Sequence, residues 1–226
     1  RAEETEEGGY RAPLFSAPEM LSLLARSQAN RIAKTNHVFE MFLEEVQSGK
    51  PIEPVTLPPD LDHQLRSYQK EGVAWAMFLR RYGFGGILAD DMGLGKTLQV
   101  LALLTVTKEQ DRRPSLVVCP KTLTLNWAAE VKKFTPGLSV RVIDGTTEER
   151  ERLMENLSGD DLIITSYSLL LRDIKKYTAL EQSFAYMILD EAQYVKNNRT
   201  ATAKAVKLIR AEHRLALTGT PLENGV

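Results

Sequence analysis

Two short segments of this chain hold residue types whose spacing could do chemistry. The first, Asp90-Asp91-Met92-Gly93-Leu94-Gly95-Lys96-Thr97, sets two glycines ahead of a lysine and a hydroxyl. Glycine lets backbone N–H groups turn toward an anion with no Cβ in the way, and a helix opening at this point would add the favourable partial charge of its N-terminus. The backbone of Met92, Gly93, Leu94 and Gly95 would cradle a triphosphate, Lys96 would reach its β- and γ-phosphates, and the Thr97 hydroxyl would ligate Mg2+. The usual G-x-x-x-x-G-K-T pattern wants glycine where this chain has Asp90, so the first bend of the loop must differ. The second segment, Met187-Ile188-Leu189-Asp190-Glu191-Ala192-Gln193, puts two carboxylates behind an apolar run, 94 residues after Lys96. Asp190 would hold magnesium through its water shell, and Glu191 would orient and deprotonate an attacking water. An isolated Asp-Glu is more often a turn or a helix cap. Beside a phosphate loop the two acids acquire separate roles, and the pair reads as a site for ATP and Mg2+.

Such a site needs strands to carry it. Near-continuous apolar runs lie at 86–89, 116–119, 140–143, 162–165, 187–190 and 215–218, and stretches of helical character separate them at 97–108, 123–134, 148–157 and 200–210. Runs of this kind suit an α/β fold with a mostly parallel central sheet covered by helices on both faces, a three-layer sandwich. In such sheets ligands sit at the carboxyl ends of the strands, where the polar segments cluster. Ahead of this pattern, residues 51–60 hold four of the ten prolines and read as an extended connector. It follows an N-terminal helical extension, with Ser16 and Glu19 as a capping box and Ser48-Gly49-Lys50-Pro51 as a stop. The expected division is therefore 1–56 for extension and linker and 57–226 for the nucleotide-binding lobe.

Composition bounds the reading without deciding it. Hydrophobic residues at 43% and charged residues at 26% are ordinary values for a globular chain. No apolar run is long enough to span a bilayer and the N-terminus is acidic, so an intracellular protein with no membrane partner is expected. Cys119 is the only cysteine, which excludes an intrachain disulfide and a cysteine-rich metal site. A net charge of −1 gives no global basic footprint for nucleic acid. The basic residues concentrate at Lys196, Arg199, Lys204, Lys207, Arg210 and Arg214, a pattern more often a solvated helix face than a binding surface. Trp75 and Trp127 sit among apolar neighbours and read as core rather than as base-stacking platforms. The chain opens on arginine and stops at Leu222-Glu223-Asn224-Gly225-Val226 with no closing helix, as a piece of something longer would.

Five segments in order narrow the class. Leu65 to Trp75, Asp90 to Thr97, Val118-Cys119-Pro120 to Trp127, Asp190 to Gln193, and Leu217-Thr218-Gly219-Thr220-Pro221-Leu222-Glu223-Asn224 together resemble the ordered motifs of superfamily-two helicases. In wording they are similar to the SWI/SNF branch, and the glutamine and Ala-Asp-Asp-Met forms are similar to its prokaryotic members. The resemblance spans about 170 residues, and ordered motifs of this kind are specific. It implies a RecA-like first lobe of an ATP-dependent translocase on double-stranded DNA, acting as a monomer and joined to a second RecA-like lobe. It implies that Gln69 reads adenine, offering donor and acceptor from one carboxamide. It implies that Thr218, Gly219 and Thr220 couple hydrolysis to movement, with hydroxyls directed toward the acidic pair. It also implies that Lys121, Thr122, Thr165, Ser166 and Tyr167 face a DNA phosphate backbone, gripping it without reading bases. Gln193 stands where many relatives carry histidine, which removes a titratable group near the acids. A phosphate-loop kinase or metabolic ATPase, and a non-catalytic nucleotide-binding module, remain the alternatives.

Overall fold

The computed structural model describes residues 3–4, 10–11, 37–91 and 93–219. Met92, Thr220 and the proposed capping pair Ser16 and Glu19 lie outside the described residues. The chain divides into two compact units, Arg1–Pro51 and Ile52–Val226. In the first, two-residue strands β1 (Glu3–Glu4) and β2 (Tyr10–Arg11) pair antiparallel. The same unit holds helix α1 (His37–Gln47). That helix ends where Gly49 takes a φ of 65°, two residues before Pro51. No helix among the described residues is long and apolar enough to cross a membrane.

The second unit opens with α2 (Pro59–Asp62) and α3 (Ser67–Arg81), then strand β3 (Gly86–Leu88) and α4 (Lys96–Thr107). It continues through β4 (Ser115–Cys119), α5 (Thr124–Phe134), β5 (Val140–Val142), α6 (Thr147–Met154) and β6 (Leu162–Ser166). Short helices α7 (Tyr167–Arg172) and α8 (Ile174–Ala179) lead to β7 (Phe184–Leu189), α9 (Ala201–Leu208) and β8 (Ala211–Leu217). The six strands form one sheet in the order β3-β8-β7-β4-β6-β5, and every pairing is parallel.

Alternation along the strands fills two separate cores. Val117, Cys119, Ile164, Ile188 and Leu217 pack with Val73, Leu101 and Trp127 of α3, α4 and α5 on one face. Leu116, Val118, Ile163 and Met187 pack with Met154, Leu170 and Val206 of α6, α7 and α9 on the other. Successive residues of a strand point to opposite faces, so a strand buried on both sides must be largely apolar, as β4 is from Leu116 to Cys119. On the second face Arg150 of α6 and Asp173, between α7 and α8, form a bidentate pair with side chains only 1% and 4% exposed. Arg150 also donates to the Gly145 carbonyl. Removing one partner of a pair this buried leaves an uncompensated charge, which costs about 3–5 kcal/mol, so the pair fixes these helices to one another.

Several element limits differ from those read in the sequence, each for a packing reason. The expected helix over 148–157 stops at Met154, and Leu157 is buried beyond its end. The helix expected over 200–210 stops at Leu208 because Ile209, almost fully buried, takes an extended ψ of 127° that leads into β8. Strand β8 starts four residues earlier than the apolar run at 215–218, since β7 pairs with it from Phe184↔Ala211 onward. The short β3 covers only Leu215 to Leu217, so one edge of the first half of β8 lacks a strand partner. That stretch holds Glu212, His213 and Arg214, polar residues a fully covered strand would exclude.

Candidate active site

Parallel pairing brings the polar segments to one edge. The phosphate loop follows β3, Thr218 follows β8, the acidic pair follows β7, Lys121 follows β4 and Tyr167 follows β6. In strand order the acids therefore lie between the phosphate loop and the last two segments.

The loop has the backbone an anion cradle needs. Gly93 and Gly95 take φ values of 84° and 75°, in the left-handed region where a side chain is strained. At Gly95 a Cβ would also sit 2.4 Å from Gln69 Nε2. Gly95 caps α4, so Lys96 and Thr97 occupy its first turn, where backbone N–H groups have no helical acceptor. Lys96 Nζ donates to the carbonyls of Asp90 at 2.7 Å and Asp91 at 3.1 Å. Both partners are neutral, so moving the ammonium to a phosphate breaks no ion pair and gains a charge-assisted bond. Asp90, the departure from the usual pattern, accepts from Gln99 Nε2 at 2.9 Å. The loop's first bend is thus tied to the helix it precedes.

Gln69 is 6% exposed, not an outward-facing helix residue. Its Nε2 donates to the Leu94 carbonyl at 3.0 Å and its Oε1 accepts from Arg66 N at 2.9 Å. Tyr68 donates its hydroxyl to the same Leu94 carbonyl. The carboxamide touches the phosphate loop with both its donor and its acceptor engaged.

The acids are held more firmly than their sequence signals. Asp190 Oδ2 accepts from Trp127 Nε1 at 2.8 Å, and Oδ1 accepts from Glu191 N at 2.9 Å. Trp127 is a core residue, as its surroundings predict, but its indole N–H is also the fixed donor that orients Asp190. The sequence shows only its apolar neighbours. Burial raises the pKa of Asp190; the Trp127 and Glu191 N–H donors and the Lys96 charge oppose that rise, and the Glu191 charge adds to it. Glu191 has φ 50° and ψ 55°, and is the one non-glycine residue with positive φ among those described. Its carboxylate accepts from Gln193 Nε2 at 2.7 Å, and Gln193 Oε1 accepts from the Thr218 hydroxyl at 3.3 Å. Thr218 therefore meets the acidic pair through Gln193, and its backbone N–H donates to Leu88 O at the end of β3. Gly219 is half-buried beside it.

Five residues were expected to face a phosphate backbone, and the structure separates them. Lys121 and Thr122 are exposed on a 3-10 turn after β4, with Lys121 Nζ 3.4 Å from Asp144 Oδ1. Thr165, Ser166 and Tyr167 are 0%, 1% and 5% exposed, so their hydroxyls do not present to a ligand. The reason is that β6 is buried to its last residue and α7 begins without a loop. Thr165 donates to Ile143 O, Ser166 Oγ accepts from Leu169 N to cap α7, and Tyr167 donates to Asp190 O. Ser168, next along the chain, is exposed. Within the basic segment, Arg210 and Arg214 donate to the carbonyls of Leu180 and Ile209, while Lys196, Arg199, Lys204 and Lys207 are exposed. Cys119, at the end of β4, is fully buried, and burial pushes its thiol up to about 12.

No group of three or more His, Cys, Asp or Glu side chains among the described residues could hold a metal alone. Magnesium needs no such group, since it keeps several waters and binds through one or two protein oxygens plus substrate phosphates, and Thr97 and Asp190 carry oxygens of that kind.

Similarity to known proteins identifies the fold. Residues 68–226 match the model of the SNF2-related domain. The chain is 40% identical over 195 residues to the TATA-binding protein-associated factor BTAF1 of Arabidopsis thaliana, covering 82% of this chain and 9% of that protein. It is 46% identical over 162 residues to an uncharacterized ATP-dependent helicase of Mycoplasma pneumoniae, covering 71% of this chain and 15% of that one. The solved SWI2/SNF2 ATPase core of Sulfolobus solfataricus in complex with dsDNA aligns with a TM-score of 0.66 and 41% identity, over 77% of this chain and 35% of that core. The sandwich of a parallel six-stranded sheet between helices is accordingly RecA-like, and the chain spans a small part of the length of these relatives.

Proposed function

The chain belongs to the SNF2-related family, and from that premise we propose that it is the ATP-binding first lobe of a motor that hydrolyses ATP to move along double-stranded DNA. Residues 57–226 form the lobe and 1–56 an appended extension, and the working unit is a monomer whose second RecA-like lobe lies elsewhere in the full-length protein. The observation that carries the reading is the alignment of the phosphate loop, Thr218, the acidic pair and Lys121 along one sheet edge, in the strand order β3-β8-β7-β4. A kinase or metabolic ATPase needs the first and third of these and has no use for the others.

In this reading the backbone of 92–95 and the first turn of α4 cradle the triphosphate, and Lys96 leaves its two carbonyl acceptors for the β- and γ-phosphates. Magnesium, when bound, neutralises charge on those phosphate oxygens; Thr97 and Asp190 are the residues that would hold it. Glu191 accepts the proton of the attacking water. Gln193, bonded to both Glu191 and Thr218, joins the base to the end of β8, so a shift of the segment 218–220 reaches Glu191 in two hydrogen bonds. Gln69 recognises adenine by exchanging its present partners. Lys121, Thr122 and Ser168 supply backbone contacts to DNA.

The second lobe matters because an arginine supplied from it is worth about 10³–10⁵ in rate, so these 226 residues alone turn over ATP feebly. The test is the ATPase of the full-length protein with duplex DNA, single-stranded DNA and RNA at one salt concentration. Duplex DNA is expected to stimulate turnover most. Stimulation by RNA alone moves the protein to another helicase branch, and indifference to all three returns it to the kinase or metabolic ATPase reading.

A pH dependence follows from Asp190. Only the ionised carboxylate holds a metal, and burial raises its pKa above the usual carboxylate range, so the magnesium needed for half-maximal turnover should climb as pH falls toward that raised pKa. Trp127→Phe removes the donor that holds this pKa down and should move the climb to higher pH. Magnesium titrations at several pH values that coincide for parent and variant would rule this out.

A further inference from the structure

We propose that Tyr167 is a positioning residue for ATP hydrolysis, holding the peptide between Asp190 and Glu191 in the one orientation that aims the Glu191 carboxylate. The inference rests on the reading of Glu191 as the base. The unusual feature to be explained is the left-handed backbone at Glu191, at φ 50° and ψ 55°. A non-glycine residue keeps such a conformation only where its surroundings over-determine it, and such residues gather at working sites.

The peptide linking Asp190 to Glu191 is clamped at both ends. Its N–H donates to Asp190 Oδ1 at 2.9 Å, and its carbonyl accepts the Tyr167 hydroxyl at 2.8 Å. Rotation of this peptide would change the φ of Glu191 and the ψ of Asp190 together, so the two bonds fix the direction in which Glu191 leaves the chain. The first bond is local to the acids. The second comes from 23 residues away, at the carboxyl end of another strand. Tyr167 is itself immobilised: it is 5% exposed and opens α7 behind the Ser166 cap. Its ring stacks on that of Tyr194 with centroids 5.4 Å apart and planes 4° from parallel. Tyr194 closes the far side of the turn, its N–H donating to the Glu191 carbonyl at 3.0 Å. The peptides before and after residue 191 are thus each held by a hydrogen bond from one of the two stacked tyrosines. Burial keeps the Tyr167 phenol protonated and therefore a donor. A tyrosine selected only to fill the second core would not need its oxygen on this carbonyl, since the ring already supplies the apolar area.

The experiment uses the full-length protein with Tyr167→Phe, which keeps the ring and the stack and removes one hydroxyl. Its kcat should fall about ten-fold or more, with KM for ATP and the thermal midpoint close to the parent's. Tyr194→Leu, which removes the stack and keeps the hydroxyl, should lose less. A Tyr167→Phe protein with kcat within about two-fold of the parent overturns the proposal, as does a loss of kcat matched by equal losses in ATP affinity and thermal stability, the mark of a structural role. The ratio of variant to parent is taken without DNA as well as with it. An active parent indifferent to duplex DNA thus defeats the motor reading while the ratio still judges Tyr167. A parent that hydrolyses no ATP defeats both.

Discussion

Glu191→Gln in the full-length protein is expected to lower ATP turnover about 10²–10⁴-fold, the usual contribution of a positioned general base, while ATP binding stays close to the parent's. The substitution is close in shape. Glutamine Oε1 can still accept the Gln193 amide that now bonds the carboxylate, and the clamped peptide before residue 191 is untouched. What disappears is the capacity to take a proton from water. Loss confined to kcat marks an interaction made only in the transition state. Single-turnover and steady-state ATPase assays beside a nucleotide-binding titration measure both quantities. Turnover within about two-fold of the parent would remove Glu191 from the reaction and favour a module that only binds nucleotide.

Lys96→Ala is expected to act one step earlier, abolishing measurable nucleotide binding and lowering kcat/KM by about 10²–10³ or more, the scale for losing one preorganised charge partner of the transferring phosphate. Removal should leave the folded lobe almost unchanged. Lys96 bonds two backbone carbonyls and no acid, so deletion strands no buried carboxylate, unlike loss of Arg150, which would leave Asp173 without its bidentate partner. Fluorescent-nucleotide titration together with thermal unfolding separates the two effects. Tight ATP binding by a stable Lys96→Ala protein would place the triphosphate elsewhere.

Residues proposed to act through their own local chemistry stand out in the sequence. Two glycines followed by a lysine and a hydroxyl mark a candidate phosphate loop by their order of backbone freedom, charge and oxygen, and the structure adds that both glycines are left-handed. The strands of the central sheet were legible because burial on both faces demands uninterrupted apolar residues, and the polar first half of β8 was missed for the same reason. Contacts set by strand order were not legible. Trp127 reads as core from its neighbours, and only adjacency of β4 and β7 brings its N–H to Asp190. The resemblance implies that Thr165, Ser166 and Tyr167 face a ligand, but β6 stays buried to its last residue and turns those hydroxyls inward. The left-handed turn at Glu191 has no sequence mark, since glutamate does not favour it. Asp90 reads as a defect in the loop pattern until its bond to Gln99 is seen.

All of these assignments depend on Lys96, Thr97, Asp190 and Glu191 serving a single nucleotide. The most direct measurement is a crystal structure of the protein with magnesium and a non-hydrolysable ATP analogue. The predicted result has Lys96 Nζ moved from the Asp90 and Asp91 carbonyls onto the β- and γ-phosphates, Thr97 Oγ1 on the metal, Asp190 at the metal's water shell and Glu191 facing a water behind the γ-phosphate. A triphosphate bound away from α4, with Lys96 still on its two carbonyls, would contradict it.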